Sequence, residues 1–445
     1  MPSEPAARLA RFNLCLRHYL RARSTLVSIL RRVGVALTSR IWFLWYPFGE
    51  GQLSGYLPRS GLVYQLGKLV MEKIVGRQPS LALGGQTVRE PGSIDKRPIV
   101  VSLFSGAGGL DLGFERAGFN VGWANEYDKT IWSTYEKNFS GSFLARKSIV
   151  DVVQEEIFEV VGKGVDGLIG GPPCQSWSEA GALRGIEDHR GQLFFEYIRL
   201  LSAIKPKFFV AENVSGILFD RHRAAFSEIL RKFRDLGYIV ATPRVVNAND
   251  FGVPQDRERV FIVGYHRDWR DQGFEFPECS YQKPVLRDAL AGVVPTQAIA
   301  TQMGRRSETE ITNHEYMLGG FSSIFMSRQR VRTWDQPSFT IQAGARHAPL
   351  HPQAPKMEWV RKDEFRFVED SEDLYRRLSV RECARVQTFP DDFEFCYDRI
   401  EHGYKMIGNA VPVELARRLG SKILTDVSGR DGMSSASSMT IASAS

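Results

Sequence analysis

The chain has 445 residues, of which 43% are hydrophobic and 24% charged, so it is long enough for two domains and has a globular composition. Its five cysteines include no Cys-x-x-Cys pair and no His-Glu-x-x-His motif occurs, which argues against a disulfide framework and against a metal site. The net charge of +7 comes from the first 97 residues, which hold 15 Lys and Arg against 5 Asp and Glu, whereas the remainder holds 43 against 46. Bulk charge therefore does not show that the main part of the chain binds nucleic acid.

Residues 1–97 differ in composition from the rest. They are rich in arginine, and their apolar stretch Ile41–Phe48 is too short to span a bilayer. A transit peptide or a nucleic-acid-binding arm has this composition, but we favour an accessory or mistranslated upstream segment, with Met71 as a candidate start. No secretory signal or membrane-spanning stretch is evident, and we expect a cytoplasmic protein.

Strands and helices alternate from residue 97 onward. The predicted strands are Pro98–Phe104, Phe119–Ala124, Val165–Ile169, Lys207–Ala211, Ile239–Val246 and Val260–Gly264. The predicted helices are Leu110–Ala117, one ending near Asn138, Leu193–Ile204 and Ala224–Leu236. This alternation predicts an α/β fold with a mostly parallel sheet that is covered on both faces.

The alternation stops near Tyr265. Residues 266–372 are rich in loops and have no sustained period, but they keep large aromatic side chains, so we interpret them as part of a separate, less regular domain. Helical patterns return at Ser379–Gln387 and Pro412–Leu424. The residues from about Ser428 are rich in Ser and Ala and are predicted to be disordered.

The stretch Gly170–Gln175, which reads GGPPCQ, follows a buried predicted strand. Its two prolines fix φ and remove backbone donors, so Cys174 is predicted on a stiff turn just past the carboxyl end of that strand. Ligands bind at this edge of open α/β sheets. A packing cysteine more often lies inside an apolar run, so we interpret Cys174 as a nucleophilic thiol.

A glycine turn, Gly106-x-Gly108-Gly109, follows the first predicted strand, and Glu126 and Tyr127 follow the second. The spacing differs from Gly-x-Gly-x-x-Gly and fits a pyrophosphate poorly. A carboxylate can bind both ribose hydroxyls, and a tyrosine ring offers a face to an adenine. These features favour S-adenosylmethionine, although a dinucleotide site or a purely structural turn stays open at this point.

Glu212, Arg257 and Arg259 lie at the ends of later strands. A carboxylic acid just past a buried strand is well placed to protonate or hydrogen-bond a ring nitrogen. In an extended segment the two arginines share a face and can point into one site, with a surface ion-pair ladder as the alternative. A thiol, an acid and an arginine together predict attack of a thiolate on C6 of cytosine, with the acid at N3 and an arginine at O2, which makes C5 nucleophilic towards a sulfonium methyl.

With these residues in place, the chain resembles the C5-cytosine DNA methyltransferase family from about Val101 to Leu424. The motifs occur in the family's order: FSGAGGLDLGFERAGF, NEYD, GGPPCQSWS, AENV, QDRERVFIVG, RECARVQTFPDDF and GYKMIGNAVP. The resemblance implies a class I S-adenosylmethionine-dependent methyltransferase fold, which is α/β and Rossmann-like, with a smaller, irregular target-recognition domain. It implies a catalytic domain of residues 98–265 plus 405–427 and a target-recognition domain of residues 266–404.

The family's functional residues are carried over motif by motif. Cys174 would be the nucleophile, Glu212 would act at N3 and Arg259 at O2, with Arg257 supporting the site. The cofactor pocket would be lined by Phe104, Gly106, Gly108, Glu126, Tyr127, Asp151, Pro173, Leu193, Asn409 and Val411.

Asp151 is included because one motif departs from the family pattern. The family usually has Gly-Asp-Ile before the nucleophile strand, and its Asp bonds the adenine amine. Here the sequence is Lys147-Ser148-Ile149-Val150-Asp151. Either Ser148 or Asp151 takes the place of that Asp.

The stretch SRQRVRTWDQPSFTIQAGARHAPLHPQAPKM is similar to bacterial restriction–modification methylases of the HaeIII type, which modify the inner cytosine of GGCC. The resemblance implies a monomer that acts on double-stranded DNA and protects it from a cognate restriction endonuclease. The candidates for guanine or phosphate contacts are Arg328, Arg330, Arg332 and Arg346.

Two alternatives stay open from sequence. A tRNA cytosine-5 methyltransferase would use the same motifs, but the long region 266–372 favours DNA, because reading a duplex needs a sizeable recognition module. A nucleotide-dependent oxidoreductase would use the glycine turn but has no use for Cys174, Glu212 and Arg259 together.

Overall fold

A computed structural model describes residues 97–173, 189–280, 282–292 and 297–441. All of these residues belong to the unit Gly92–Ser445. The predicted nucleophile Cys174 and the basic extension before residue 97 lie outside the described residues.

The described chain alternates strands and helices up to residue 266 and becomes irregular after it. Its strands are β1 (Ile99–Leu103), β2 (Asn120–Asn125), β3 (Phe143–Ala145), β4 (Gly167–Gly170), β5 (Phe208–Val214), β6 (Tyr238–Val240), β7 (Arg244–Asn247), β8 (Glu258–His266), β9 (Ile299–Thr301), β10 (Glu315–Met317), β11 (Glu358–Arg361) and β12 (Glu364–Arg366). Its α-helices are α1 (Gly109–Ala117), α2 (Trp132–Asn138), α3 (Gln154–Val161), α4 (His189–Ile204), α5 (Arg223–Asp235), α6 (Leu286–Leu290), α7 (Val380–Val386), α8 (Ile400–Asn409) and α9 (Val413–Ile441).

The large sheet has the strand order β3-β2-β1-β4-β5-β8-β6, with β7 paired to β8. Strands β1 to β5 are parallel, which confirms the predicted mostly parallel sheet. Strand β8 runs antiparallel to β5, β6 and β7. Dinucleotide-binding domains have a mostly parallel sheet with the strand order 3-2-1-4-5-6, so the antiparallel strand β8 beside β5 distinguishes this sheet from theirs.

The structure differs from the predicted elements at three kinds of place. Strands β3 and β9 to β12 and helices α3, α6 and α8 have no predicted counterpart, because they are short or lie among irregular segments. The strand predicted over Ile239–Val246 is two strands, β6 and β7, and Pro243 between them has no N–H to continue a ladder. Helix α9 continues past its predicted end at Leu424 to Ile441, into residues predicted to be disordered.

Helices α1 and α9 pack closely because small residues face each other. A Cβ atom at Gly113 would lie 2.3 Å from Cβ of Ala416, and one at Gly420 would lie 2.9 Å from Cβ of Ala117. Gly108, at the start of α1, has φ of 84°, a left-handed conformation that glycine adopts without strain. The close packing therefore fixes the helix that begins at the glycine turn.

The region after β8 is held by buried arginines more than by long ladders. Loop carbonyls need donors when they are buried, and a guanidinium supplies five N–H groups. The carbonyl acceptors of Arg377 are Met317, Gly319 and Gly320, at 3.0 to 3.2 Å, and Arg346 at 3.4 Å. Those of Arg381 are Thr312, Pro390 and Phe393, at 2.9 to 3.2 Å.

One hydrophobic cluster joins the predicted catalytic and recognition regions. It includes Ile131 and Tyr135 from the first region and Leu378 and Tyr404 from around α7 and α8. The boundaries of the recognition domain, residues 266–404, stay a prediction.

Asp111 is a fully buried carboxyl group that links three elements around the glycine turn. It accepts hydrogen bonds from Ser102 Oγ in β1 and from Tyr135 OH in α2, each at 2.7 Å. Burial raises the pKa of Asp111 from 3.8 to about 7; the two hydrogen bonds oppose the rise, and the charge of Glu115 adds to it. Ionisation of Asp111 therefore opposes folding.

Replacing this carboxyl, Asp111→Asn, is expected to remove a pH dependence of stability. Because the folded-state pKa is raised to about 7, protonation of Asp111 stabilises the folded wild type at low pH. This stabilisation is lost as pH rises through 7. Relative to the variant, the free energy of unfolding of the wild type should fall by roughly 2 to 3 kcal/mol between pH 5 and pH 8. Denaturant unfolding of both proteins across this range measures the effect, and a difference that stays constant with pH would contradict it.

Candidate active site

The turn Gly171–Pro173 leaves the carboxyl end of β4, and β5 lies beside β4 in parallel. Asn213, near the end of β5, donates from Nδ2 to the carbonyl oxygen of Pro172 at 3.2 Å. This bond holds the proline turn against β5. Cys174 follows the turn directly in sequence, outside the described residues.

Glu212 and Arg259 form an ion pair at the same edge of the sheet. Arg259 in β8 is paired with Val214 in β5, so Glu212 and Arg259 are diagonal neighbours across the antiparallel ladder. Glu212 Oε1 lies 2.9 Å from Arg259 Nε, and the two side chains are 12% and 15% exposed. A Cβ atom at Gly171 would lie 3.1 Å from Glu212 Oε2, so the carboxylate is directly beside the proline turn.

Burial and two arginines act in opposite directions on the pKa of Glu212. Burial raises the pKa of Glu212 above its ordinary 4.5, and the positive charges of Arg259 and Arg257 oppose the rise. A raised pKa lets a buried carboxyl group keep its proton to higher pH than an exposed glutamate, which is the direction that general acid chemistry requires.

Arg257 is 1% exposed and points away from open solvent. Its guanidinium donates to the carbonyl oxygens of Ile341, Gly408 and Ala410 at 3.0, 2.8 and 3.0 Å. Three backbone carbonyls therefore bind Arg257, whereas Arg259 pairs with Glu212, and the predicted site roles of the two arginines stay predictions. The described contacts of Arg257 agree with a supporting position.

The glycine turn and the end of β2 meet at the first part of the sheet. Glu126 Oε2 accepts from the N–H of Gly106 at 2.9 Å, and Oε1 accepts from the N–H of Asp128 at 2.7 Å. Each carboxylate oxygen has two lone pairs, so capacity for further donors remains. Gly106 has open space where a Cβ would lie, and Tyr127 is 75% exposed. Burial raises the pKa of Glu126.

The segment after α8 touches the glycine turn. A Cβ atom at Gly109 would lie 2.3 Å from the carbonyl oxygen of Val411, so the structure brings together two motifs about 300 residues apart in sequence. Val411 is buried and Asn409 is exposed. The other predicted pocket residues are Phe104, Pro173 and Leu193, all half-buried, and Gly108, where a Cβ would meet the Phe139 ring at 2.2 Å.

Ser148 and Asp151 lie around a 3-10 turn, Ile149–Asp151. Ser148 Oγ accepts from the N–H of Val150 at 3.4 Å and caps this turn, whereas Asp151 is exposed. The capping role of Ser148 makes Asp151 the less constrained of the two side chains. Which of them contacts the adenine stays a prediction.

Sequence reasoning missed the positioning role of Asn213 and two buried glutamines. Gln255 Nε2 donates to Gln387 Oε1 at 3.1 Å, and both side chains are fully buried. The sequence shows only that each of two motifs to which other roles were assigned, QDRER and RVQTF, contains a glutamine. Nothing in either motif predicts that the two glutamines meet.

The four arginines predicted to contact DNA have different environments. Arg330 donates to the carbonyl oxygens of Phe325 and Ile324 at 2.7 and 3.0 Å. Arg332 pairs with Asp256 Oδ2 at 3.0 Å. The two arginines whose side chains are exposed are Arg328 and Arg346.

Within the described ranges, no three His, Cys, Asp or Glu side chains are grouped so that they could hold a metal ion. In the same part of the chain, no helix has the length and apolar character needed to cross a membrane.

The fold is that of a class I S-adenosylmethionine-dependent methyltransferase. Among solved structures, it is similar to a putative DNA modification methyltransferase of Escherichia coli encoded within a prophage, with a TM-score of 0.58, 25% identity, and coverage of 74% of this chain and 99% of that one. Among curated proteins, the chain is 52% identical to Type II methyltransferase M.FnuDI of Fusobacterium nucleatum over 74% of this chain and 95% of the relative. It is 50% identical to Type II methyltransferase M.NgoPII of Neisseria gonorrhoeae over 73% and 94%.

Residues 99–425 match the family of C-5 cytosine-specific DNA methylases. The chain belongs to this family, and its activity is the methylation of DNA at C5 of cytosine. Family and fold together imply S-adenosylmethionine as the methyl donor.

Removal of residues 1–70 is expected to leave methylation intact, because the family match begins at residue 99. The truncated and full-length proteins can be compared by transfer of labelled methyl groups to DNA. Loss of folding or activity in the truncated protein would show that the extension is structural.

Proposed function

We propose that this protein methylates the inner cytosine of GGCC in double-stranded DNA and so protects that DNA from a cognate restriction endonuclease. The ion pair of Glu212 and Arg259 beside the proline turn is the observation that carries the proposal. An acid, a cation and the backbone next to Cys174 meet at one sheet edge, as addition to a pyrimidine ring requires.

The target cytosine has to leave the base stack before this site can act on it. Unpairing and unstacking cost a few kcal/mol, which contacts of the protein with the DNA would offset. Once the base is in the site, the Cys174 thiolate bonds to C6, Glu212 holds a proton at N3, and Arg259 donates to O2. The electrons of the C5–C6 double bond then make C5 nucleophilic towards the methyl group. After transfer, loss of the C5 proton and departure of the Cys174 sulfur from C6 restore the double bond.

The residues around the glycine turn fit S-adenosylmethionine. Glu126 has spare acceptor capacity for ribose hydroxyls, Tyr127 presents an exposed ring, and Gly106 lines open space. When bound, S-adenosylmethionine supplies an electrophilic methyl group. Asn409, at the end of α8, and Val411, just after it, would close this pocket.

Target recognition is proposed to lie in residues 266–404. Arginine binds O6 and N7 of guanine bidentately, which suits a site of four G·C pairs. Arg328 and Arg346 have exposed side chains and can reach DNA as they stand. Arg330 and Arg332 would first exchange the partners that they have within the protein. The similarity of this stretch to HaeIII-type methylases supports GGCC as the site.

Digestion of DNA from cells that express the protein tests this proposal. We expect the DNA to resist a nuclease that cuts GGCC and to stay sensitive to a nuclease that cuts AGCT. DNA from cells that express a Cys174→Ala variant should be cut by both. Complete cleavage of the wild-type sample at GGCC would reject the proposed site, and bisulfite sequencing of the same DNA would then locate the methylated cytosines.

A further inference from the structure

We infer that Arg257, together with Gln255 and Gln387, is a positioning group that couples DNA recognition to cofactor binding. The inference rests on the proposed function, in which residues 266–404 contact DNA and residues 408–411 line the cofactor pocket. Three fully buried polar side chains connect those two segments.

The recognition side of this group is the segment Ser338–Gln342, which runs beside the start of β8. The N–H of Ser338 donates to the carbonyl oxygen of Pro254 at 2.9 Å, and its carbonyl accepts from the N–H of Asp256 at 2.9 Å. Ile341 has both backbone groups bound by side chains: its N–H donates to Gln255 Oε1 at 2.9 Å and its carbonyl accepts from Arg257 at 3.0 Å.

The cofactor side is the segment Ile407–Val411. Arg257 donates to the carbonyl oxygens of Gly408 and Ala410 at 2.8 and 3.0 Å. Gln387 donates to the carbonyl oxygen of Ile407 at 2.9 Å and accepts from Gln255 at 3.1 Å. One guanidinium and one glutamine pair therefore hold both segments.

The two segments also touch directly. A Cβ atom at Gly408 would lie 2.3 Å from the carbonyl carbon of Gln342 and 2.4 Å from the nitrogen of Ala343. A movement of the Gln342 peptide towards Gly408 therefore presses on the end of α8. The side chains of Gln342 and Asn409 are both exposed, so the buried group joins two surfaces that ligands can reach.

This arrangement makes the two binding events interdependent. A buried guanidinium that donates to three carbonyls keeps its geometry only while both segments stay in place, because a displaced carbonyl leaves a buried charged donor unsatisfied. DNA that orders the recognition segment would thus order the cofactor segment. By linkage, the cofactor would strengthen DNA binding by the same factor.

The test measures the affinity of S-adenosylhomocysteine, which cannot react, with and without an unmethylated duplex that carries the target sequence located by bisulfite sequencing. For the wild type we expect at least fivefold tighter binding in the presence of the duplex, within the usual range of coupling between sites. Arg257→Lys should reduce that factor to below twofold, because a single ammonium cannot span three fixed carbonyls. The reciprocal measurement, the affinity for the duplex with and without S-adenosylhomocysteine, should give the same factors.

Arg381→Lys is the matched control, since Arg381 is equally buried but its backbone acceptors all lie within residues 312–393. It should keep the wild-type coupling. A second pair of variants in α8 covers the case in which Arg257→Lys does not fold. Gly408→Ala presses on the Gln342 peptide and should lower the coupling, whereas Gly403→Ala meets the Tyr397 ring at 2.7 Å and should not.

Methyl transfer by the wild type is measured first on the same duplex. Absence of transfer would reject the proposed function and the inference with it. Transfer without coupling in the wild type, or coupling that survives both Arg257→Lys and Gly408→Ala, would overturn the inference alone. Equal loss of coupling in the Arg381→Lys control would also overturn it, because the effect would then follow from general loosening.

Discussion

Replacement of the proposed nucleophile, Cys174→Ser, is expected to lower the rate of methyl transfer by at least about three orders of magnitude. A hydroxyl is a far weaker nucleophile than a thiol at neutral pH, because a thiol is already a few per cent ionised there. Asn213 and the prolines that precede residue 174 keep the turn in place without the sulfur. Binding of duplex DNA and of S-adenosylhomocysteine should therefore stay within about threefold of the wild type.

The covalent step gives a sharper readout. A duplex with 5-fluorocytosine at the target position, supplied with S-adenosylmethionine, should become trapped on the wild type, because fluorine at C5 cannot leave as a proton does. Cys174→Ser should give no trapped complex on a denaturing gel. Cys279→Ser is the control, since Cys279 is an exposed free cysteine outside the site, and this variant should trap DNA like the wild type. Trapping by Cys174→Ser would reject the assigned nucleophile.

The sheet and the two carboxylates of the candidate site were predictable from sequence because their signals are local. Apolar runs that end in Gly, Glu or Asn mark buried strands and place Glu212 and Glu126 at the carboxyl edge. The period of two along a strand places Arg257 and Arg259 on one face. It does not show that Arg257 is bound by backbone carbonyls, because those carbonyls belong to residues 84 to 153 positions away.

The contacts that hold the irregular region were not predictable either, because their partners are also far apart in sequence. Gln255 and Gln387 meet across 132 residues, and no period or turn residue encodes such a contact. Asp111 lies in the first turn of α1, where an acidic residue normally stabilises a helix from the surface. Its burial depends on Ser102 and Tyr135, which arrive from β1 and α2. Folding, not local pattern, brings these groups together.

Glu212→Gln is the second change with a large expected effect. Glutamine keeps the shape of the side chain and can still hydrogen-bond N3, but it cannot supply a proton, so methyl transfer should fall about 10²- to 10⁴-fold. Burial raises the pKa of Glu212, so the acid form persists to higher pH than for an exposed glutamate and is lost as pH rises through that pKa. The wild-type rate, measured at saturating DNA and cofactor, should therefore fall on the alkaline side. In the variant this alkaline fall should be absent.

The matched control for that change is Glu258→Gln, which alters an exposed carboxylate one residue from Arg259. Loss of one negative charge alone would affect both variants alike, since each removes a single carboxylate from this pair of strands. If proton supply is the role of Glu212, only Glu212→Gln loses rate and the alkaline limb, while Glu258→Gln keeps both. A Glu212→Gln enzyme with the wild-type pH profile would instead assign the carboxylate to holding Arg259, through the 2.9 Å contact between Oε1 and Nε.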